Sequence, residues 1–321
     1  MVDFSSYILI DEETLEKLNT TIDKTLDEKE YVPIDYSLLE ISLGAMLRNA
    51  RFRRNGSFPT VVRIKKEEML GLTLDFFKSI DETLYEEAVN TIIKKHNNIK
   101  VNIYSTHAPE NHRRVNEWGM FDYTSNGSVF SKRGKATVNV PTGTYFREDE
   151  SKKLGQDTCT LEDLYTLVHE IAHLFDLDFE SGQSITRELL GECTAIAFED
   201  MLTEYLLKNT TYPTSKIREI TIERTNSSLI DASIAYAELI LAREKTKSGR
   251  VTREYIEDFV RKNNFSPQFA KDMIRQITND PMGMMYRKRY ALARLIAPTI
   301  TKCTRKGRST GIKKIFKSSQ K

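Results

Sequence analysis

One stretch, Thr160 to Leu174, constrains this chain more than any other, because it combines a helical apolar pattern with two histidines four residues apart. Positions i and i+4 lie on the same face of a helix, so His169 and His173 can each offer a ring nitrogen to one metal ion. Glu170 completes HExxH spacing and stands beside them, where a carboxylate can hold a water molecule near the metal. The sequence therefore predicts a metal-binding helix.

The ends of this helix are also marked in the sequence. Thr160, followed three residues later by Asp163, predicts a capping box, and we expect the helix to cover residues 160–178. A break at residues 180–182 separates it from a second predicted helix over residues 184–208. The apolar residues of the first helix recur at helical spacing: Leu161, Leu164, Leu167, Val168, Ile171 and Leu174.

The second helix offers candidates for a third metal ligand. Glu188, Glu192 and Glu199 are spaced by four and seven residues and so share one face. Such a row usually belongs to a solvated surface, but Ala195 and Phe198 among its apolar neighbours predict a largely buried helix. Buried carboxylates need partners, and a metal ion is one.

Two other metal sets are less favoured. A metzincin would need glycine at 176 and histidine at 179, whereas the chain has Asp176 and Phe179, so that class is excluded. Cys193 adjoins Glu192, but one residue of offset turns it by about 100° around the helix, which favours core packing over a thiolate ligand. A glutamate on the second helix therefore remains the expected third ligand.

These segments resemble the thimet oligopeptidase and oligoendopeptidase F family of zinc metallopeptidases, which are gluzincins. The resemblance covers roughly the last half of the chain and rests on LEDLYTLVHEIAHLFD, LLGECTAIAFEDMLTEYLL and MMYRKRYALARLIA. The chain departs from the family in its shorter length and in Ala172, where the family usually has glycine.

The resemblance implies one zinc ion per chain, bound by His169, His173 and Glu192. Glu188, one turn before Glu192, is the reserve candidate for the third ligand. It implies that Glu199, seven residues after Glu192, accepts a hydrogen bond from a ligand imidazole. The family also carries a tyrosine-rich helix that faces the zinc. Residues matching it, Tyr286 and Tyr290, are either core residues or donors to the oxyanion of the tetrahedral intermediate.

We expect a mainly α fold, a zincin-like helical metallopeptidase with a small antiparallel β-sheet beside the HExxH helix. Residues 1–98 predict an N-terminal helical scaffold, and residues 99–321 a compact catalytic region. Residues 136–140 are the candidate edge strand for pairing with an extended substrate backbone. The parts of the catalytic region are the sheet (99–146), the HExxH helix (160–178), the glutamate helix (184–208), C-terminal helices (214–300) and a basic tail (301–321).

Composition narrows the class of protein. The chain has 321 residues, 39% of them hydrophobic and 29% charged, which is typical of a globular protein. No apolar run approaches the roughly 20 residues of a membrane span, and the N-terminus lacks a basic signal region, so we expect a cytoplasmic protein. Three cysteines without a secretory signal argue against a disulfide framework. No feature of the sequence predicts an oligomeric state.

Charge is unevenly distributed along the chain. From Pro281 onward there are twelve lysines and arginines and no acidic residue, whereas the stretch from Cys159 to Leu207 has eleven acidic residues and one basic residue, Arg187. The basic segment could therefore pack across the acidic helices, or form a solvated end.

The residues together predict a zinc-dependent endopeptidase that acts on a peptide or protein substrate, with Glu170 as general base. We expect no nucleic-acid partner for such an enzyme. The alternative is a catalytically inactive, peptidase-like binding module that uses its basic C-terminal segment to contact nucleic acid or a protein partner.

Overall fold

A computed structural model places most of the chain in helices and short strands. It describes residues 11–27, 62–93, 99–105, 128–132, 135–142, 158–176, 185–263, 265–279, 290 and 293–302. The chain divides into two compact units by its contacts. The first unit comprises residues 1–53 and 225–295, and the second unit comprises residues 54–224 and 296–321.

The described part of the second unit is mainly helical, with two small sheets. Its helices are α2 (Lys66–Ile80), α3 (Glu82–Ile92), α4 (Leu161–Asp176), α5 (Ile185–Asn209) and the beginning of α6 (Thr214–Ser248). Its strands are β1 (Arg63–Lys65), β2 (Ile99–Ser105), β3 (Ser128–Lys132), β4 (Lys135–Thr142) and β5 (Thr158–Thr160). Residues 293–302 are also helical and pass from the first unit into the second.

Helix α4 begins where the sequence predicts, directly after β5. The Thr160 backbone N–H donates to the Asp163 carboxylate (2.7 Å), and the Asp163 N–H donates to the Thr160 hydroxyl (3.1 Å), which completes the predicted capping box. The Leu161 N–H donates to the carbonyl of Val62, so the helix start is tied to the chain before β1. Strand β5 pairs with β1 in an antiparallel sheet, which confirms a small antiparallel sheet beside the HExxH helix.

The core of the second unit surrounds α4 and α5. Leu161, Leu164 and Leu167 are fully buried, as their helical spacing predicts. Each side chain of this kind stabilises the fold by about 1.5–3 kcal/mol relative to an exposed one. Four aromatic side chains meet at edge-to-face angles and bring α2 against the two site helices: Phe76, Phe77, Phe175 and Phe198.

The second sheet lies within the predicted sheet region 99–146 and corrects two expectations from the sequence, because it is mixed and not antiparallel, and because the predicted edge strand is its central strand. Its strand order is β2-β4-β3, with β4 antiparallel to β3 but parallel to β2. Residues 136–140 lie in β4 and pair on both sides, so the prediction that they form an edge strand is wrong. An alternating pattern can indicate a strand, but the order of the strands depends on pairing partners elsewhere in the sequence.

Helices α2 and α3 are separated at a single residue, Asp81. Asp81 has extended backbone (φ −163°) and ends α2, and its carboxylate accepts hydrogen bonds from the N–H groups of Thr83 and Leu84 at the start of α3. This is ordinary N-capping by aspartate. Part of the predicted helical scaffold, residues 28–61, lies outside the described residues.

The first unit contains α1 (Glu12–Asp27), the remainder of α6, α7 (Arg253–Lys262) and α8 (Pro267–Asn279). The described residues therefore contain helices in the region 214–300, where the sequence predicts them. Asn19 is buried and exchanges two hydrogen bonds with the backbone of Val251, which satisfies the polar groups inside the helix packing. The core of the first unit is made of side chains such as Leu18, Ile234 and Met273.

The division of the chain into a scaffold (residues 1–98) and a catalytic region (residues 99–321) stays a prediction. Among the described residues, no helix has the length and apolar character needed to cross a membrane.

Candidate metal centre

Two packed helices bring the three predicted metal ligands together. His169 and His173 are one turn apart on α4, and Glu192 projects from α5. Their ligand atoms all lie within 4.8 Å of one another, so the group could hold a metal ion. His169 and Glu192 are buried, and His173 is partly exposed, which leaves one side of the group accessible.

The distances within this group fit a small divalent cation. The two histidine Nε2 atoms are 3.1 Å apart, and Glu192 Oε2 lies 3.4 Å from His169 Nε2 and 3.7 Å from His173 Nε2. Two ligand atoms at tetrahedral angles and about 2.0–2.1 Å from a zinc ion are about 3.4 Å apart. The triangle therefore has the size that a tetrahedral zinc site with two imidazoles and a carboxylate requires.

Carboxylates around His169 favour positive charge at this position. Burial alone lowers the pKa of the imidazole, but hydrogen bonds to Glu192 and Glu199 outweigh burial and raise the pKa of His169 to about 10. Glu170 adds to this field. A site that stabilises a proton on imidazole so strongly also stabilises a cation that replaces the proton.

Glu170 is buried beside the ligands, with 5% of its surface exposed. Burial raises the pKa of Glu170 to about 7, and His169 partly opposes that shift. A carboxylate with this pKa can both accept and return a proton near neutral pH. Its place next to His169 on α4 is the one that the sequence predicts for a general base.

Glu199 holds the other nitrogen of the His169 ring. Its Oε1 is 2.7 Å from His169 Nδ1, while Glu192 faces Nε2 of the same ring. Two glutamates seven residues apart on α5 thus contact opposite nitrogens of one imidazole. Burial by itself raises the pKa of Glu199, but Arg224 and His169 outweigh it and hold the pKa well below its usual range.

Arg224, in α6, belongs to this site and was not predicted from the sequence. Its Nη2 donates to Glu199 Oε1 (2.6 Å) and its Nε donates to Oε2 (3.1 Å), a two-pronged ion pair. The excess of acidic residues between Cys159 and Leu207 does indicate a cation from elsewhere in the chain. The basic C-terminal segment was one possible source of that cation, but most of it lies outside the described residues, and Arg224 fills this role at Glu199.

Gly191 lets α5 approach the second histidine closely. A Cβ at this position would lie 3.3 Å from His173 Nδ1, which is tighter than ordinary van der Waals contact. A larger residue there would push on the ring of a candidate ligand. Gly191 was not singled out from the sequence, because glycine inside a helix does not show what it faces.

The structure describes the other candidate site residues only in part. Tyr290 is helical, partly buried and belongs to the first unit, whereas Tyr286 lies outside the described residues. Glu188 lies in α5, but its side chain is not among those described. Cys193 is buried in α5 and does not belong to the metal-binding group found among the described residues.

Comparison with known proteins identifies one structural neighbour of this chain. No protein-family model matches the chain, and no curated protein matches it. The chain is similar in structure to a solved protein named "putative peptidase from Chlamydophila abortus", with a TM-score of 0.51 and 11% sequence identity. The match covers 96% of this chain but 48% of the other, so the chain spans about half the length of that neighbour. At this identity the likeness shows a shared, peptidase-like fold alone.

Proposed function

We propose that this chain is a zinc-dependent endopeptidase. The observation that carries the proposal is the compact triangle of His169, His173 and Glu192, with the buried carboxylate of Glu170 beside it. The peptidase-like fold and the resemblance to the thimet oligopeptidase and oligoendopeptidase F family support the same assignment. His169, His173 and Glu192 would hold the zinc ion as a two-histidine, one-glutamate set, of the gluzincin type.

A zinc ion bound in such a set lowers the pKa of a coordinated water and withdraws electrons from a carbonyl oxygen. Glu170 supplies the base: its carboxylate accepts a proton as water attacks the scissile carbonyl. It then returns that proton to the departing amine, so the residue ends the cycle as it began. Burial keeps its pKa near neutrality, so both transfers can proceed at similar pH.

Two further roles rest on the resemblance and on contacts. Glu199 accepts a hydrogen bond from His169 Nδ1, which leaves Nε2 as the nitrogen that faces Glu192 and His173. Tyr290 and Tyr286 remain proposed donors to the oxyanion on the resemblance alone. Replacing each by phenylalanine should lower kcat with little change in KM if a phenol stabilises the transition state.

Metal content tests the ligand set directly. We expect about one zinc per chain in purified wild type, lost in Glu192→Ala and kept in Glu188→Ala. Glu188→Ala is a matched control, because it removes the same carboxylate one turn earlier on the same helix. Zinc kept by Glu192→Ala and lost by Glu188→Ala would exchange the roles of the two residues.

Activity tests the chemistry. A quenched library of mixed peptides should be cleaved by wild type and left intact by Glu170→Gln, which should still bind zinc. A wild type that binds no metal even after reconstitution with zinc would refute the peptidase assignment. The alternative, a binding module that uses the basic C-terminal segment, would then predict metal-independent binding that weakens steeply with salt.

A further inference from the structure

We propose that Arg224 is a positioning residue for the metal site: it fixes the carboxylate of Glu199, which in turn fixes the ring of His169. This inference rests on the proposed function, because it assigns Arg224 a role only if His169 binds a metal. Nothing in the HExxH spacing or in the glutamate helix points to Arg224, which lies 25 residues beyond Glu199 on the next helix.

The contacts form a continuous chain from the arginine to the ligand nitrogen. Oε1 of Glu199 accepts from Arg224 Nη2 at 2.6 Å and is 2.7 Å from His169 Nδ1, so one oxygen serves both partners. Oε2 accepts from Arg224 Nε at 3.1 Å. Since the guanidinium fork is planar and engages both oxygens, it determines the rotation of the carboxylate about its terminal bond.

Arg224 is itself held in place by neighbouring side chains. Its guanidinium carbon lies 5.7 Å from the centre of the Tyr165 ring, a cation–π distance. The Tyr165 hydroxyl is 2.9 Å from the Thr203 hydroxyl, which is 3.0 Å from that of Thr221, one turn before Arg224 on α6. The arginine is therefore anchored to α4, α5 and α6 together.

Burial strengthens the hydrogen bonds between Arg224 and Glu199. The side chain of Glu199 is 7% exposed and that of Arg224 is 22% exposed, so water competes weakly for their hydrogen bonds. Without the guanidinium, the carboxylate of Glu199 would be free to rotate. The ring of His169 would then lose its fixed acceptor, and its Nε2 would no longer be held in line with Glu192 and His173.

Zinc affinity is the measurement that tests this role. We would compare wild type with Arg224→Met and Arg224→Lys by competition with a chromophoric chelator. Arg224→Met should bind zinc about 10- to 100-fold more weakly, the range found when partners of metal ligands are removed. Arg224→Lys keeps the charge but not the fork, so its affinity should lie between the two. If Arg224→Met does not fold, as judged by circular dichroism, Arg224→Lys carries the comparison.

A matched control lies on the same helix. Lys216 donates to Glu219 at 2.7 Å in a partly exposed ion pair that does not include Glu199. Lys216→Met removes an ion pair of similar length, and should leave zinc affinity within about twofold of wild type. Cobalt substitution adds a spectroscopic readout, because the visible spectrum of bound Co²⁺ should change in Arg224→Met and not in Lys216→Met if ligand orientation is affected.

A double-mutant cycle shows whether Arg224 acts through Glu199. In a Glu199→Ala background, adding Arg224→Met should cause little further loss of zinc affinity. An equal loss in both backgrounds would overturn the inference, and so would an Arg224→Met variant that binds zinc like wild type. Those two outcomes leave the proposed function standing. A wild type that binds no zinc would overturn the proposed function together with the inference.

Discussion

Zinc and a proton should compete for the same nitrogen of His169. In the metal-free protein, Glu192 and Glu199 face opposite nitrogens of this ring, and the pKa of His169 is raised to about 10. The imidazole ordinarily has a pKa of 6.5. Coordination needs the lone pair of Nε2, so the proton on that nitrogen has to leave when the metal binds.

The size of the effect follows from the pKa. At pH 8, which is two pH units below the pKa of His169, about 99% of metal-free chains carry the proton. Displacing this proton alone should make the apparent zinc affinity rise about tenfold, or about 1.4 kcal/mol, for each pH unit up to pH 9. Glu170, whose pKa is raised to about 7, is largely ionised in this window and contributes little to the slope.

Nuclear magnetic resonance can follow the proton directly. The chain has five histidines, so a ¹⁵N-histidine sample of metal-free protein should give assignable signals during a titration from pH 6 to pH 11. Calorimetry of zinc binding in buffers with different ionisation enthalpies should show proton release at pH 8 that decreases in Glu199→Gln, because one cause of the raised pKa is gone. A His169 ring that titrates near 6.5 in the metal-free protein would refute the reasoning.

Three other predictions concern the helices around the site. Gly191→Ala should weaken zinc binding several-fold, because the added Cβ would press on His173. In the control Gly71→Ala the Cβ would meet nothing within 4 Å, so this variant should keep its zinc affinity and raise the free energy of unfolding by about 0.5–1 kcal/mol. Equal zinc affinities in the two variants would contradict the close contact at Gly191. Phe198→Ala should lower the free energy of unfolding by about 3–5 kcal/mol in urea titrations, and a loss below about 1 kcal/mol would contradict its tight packing. The stabilisation that Glu199 gives the metal-free protein should be complete above its ordinary pKa of 4.5 and decrease as pH falls below that value. The free energies of unfolding of wild type and Glu199→Gln, measured by urea titration, should therefore converge at low pH. A difference that does not change with pH would refute the depressed pKa.

Periodicity predicted the parts of this molecule that depend on neighbours in sequence. The helices that carry His169 and Glu192 have bounds within about two residues of the prediction, because apolar spacing, the Thr160 cap and the acidic row all act locally. The meeting of these residues also follows from the sequence, since two buried helix faces with metal-type ligands have few other ways to satisfy them.

What the sequence did not predict depends on partners far apart in the chain. The central place of β4 is set by pairing with β2, whose residues lie 37 positions earlier than their partners, and an alternating pattern does not specify a neighbour. Arg224 looks like any charged residue of a long polar helix until the fold brings it to Glu199.

The contact of Glu192 and Glu199 with opposite nitrogens of His169 limits how the chain can change over evolutionary time. Insertion or deletion of one residue between the two glutamates would rotate one of them by about 100° relative to the other. One carboxylate would then leave the ring, whatever residue was inserted or removed. Substitutions in this interval need only preserve the packing of α5. The six residues between the glutamates are all buried, so descendants of this chain can exchange them for residues that pack equally well but cannot change their number.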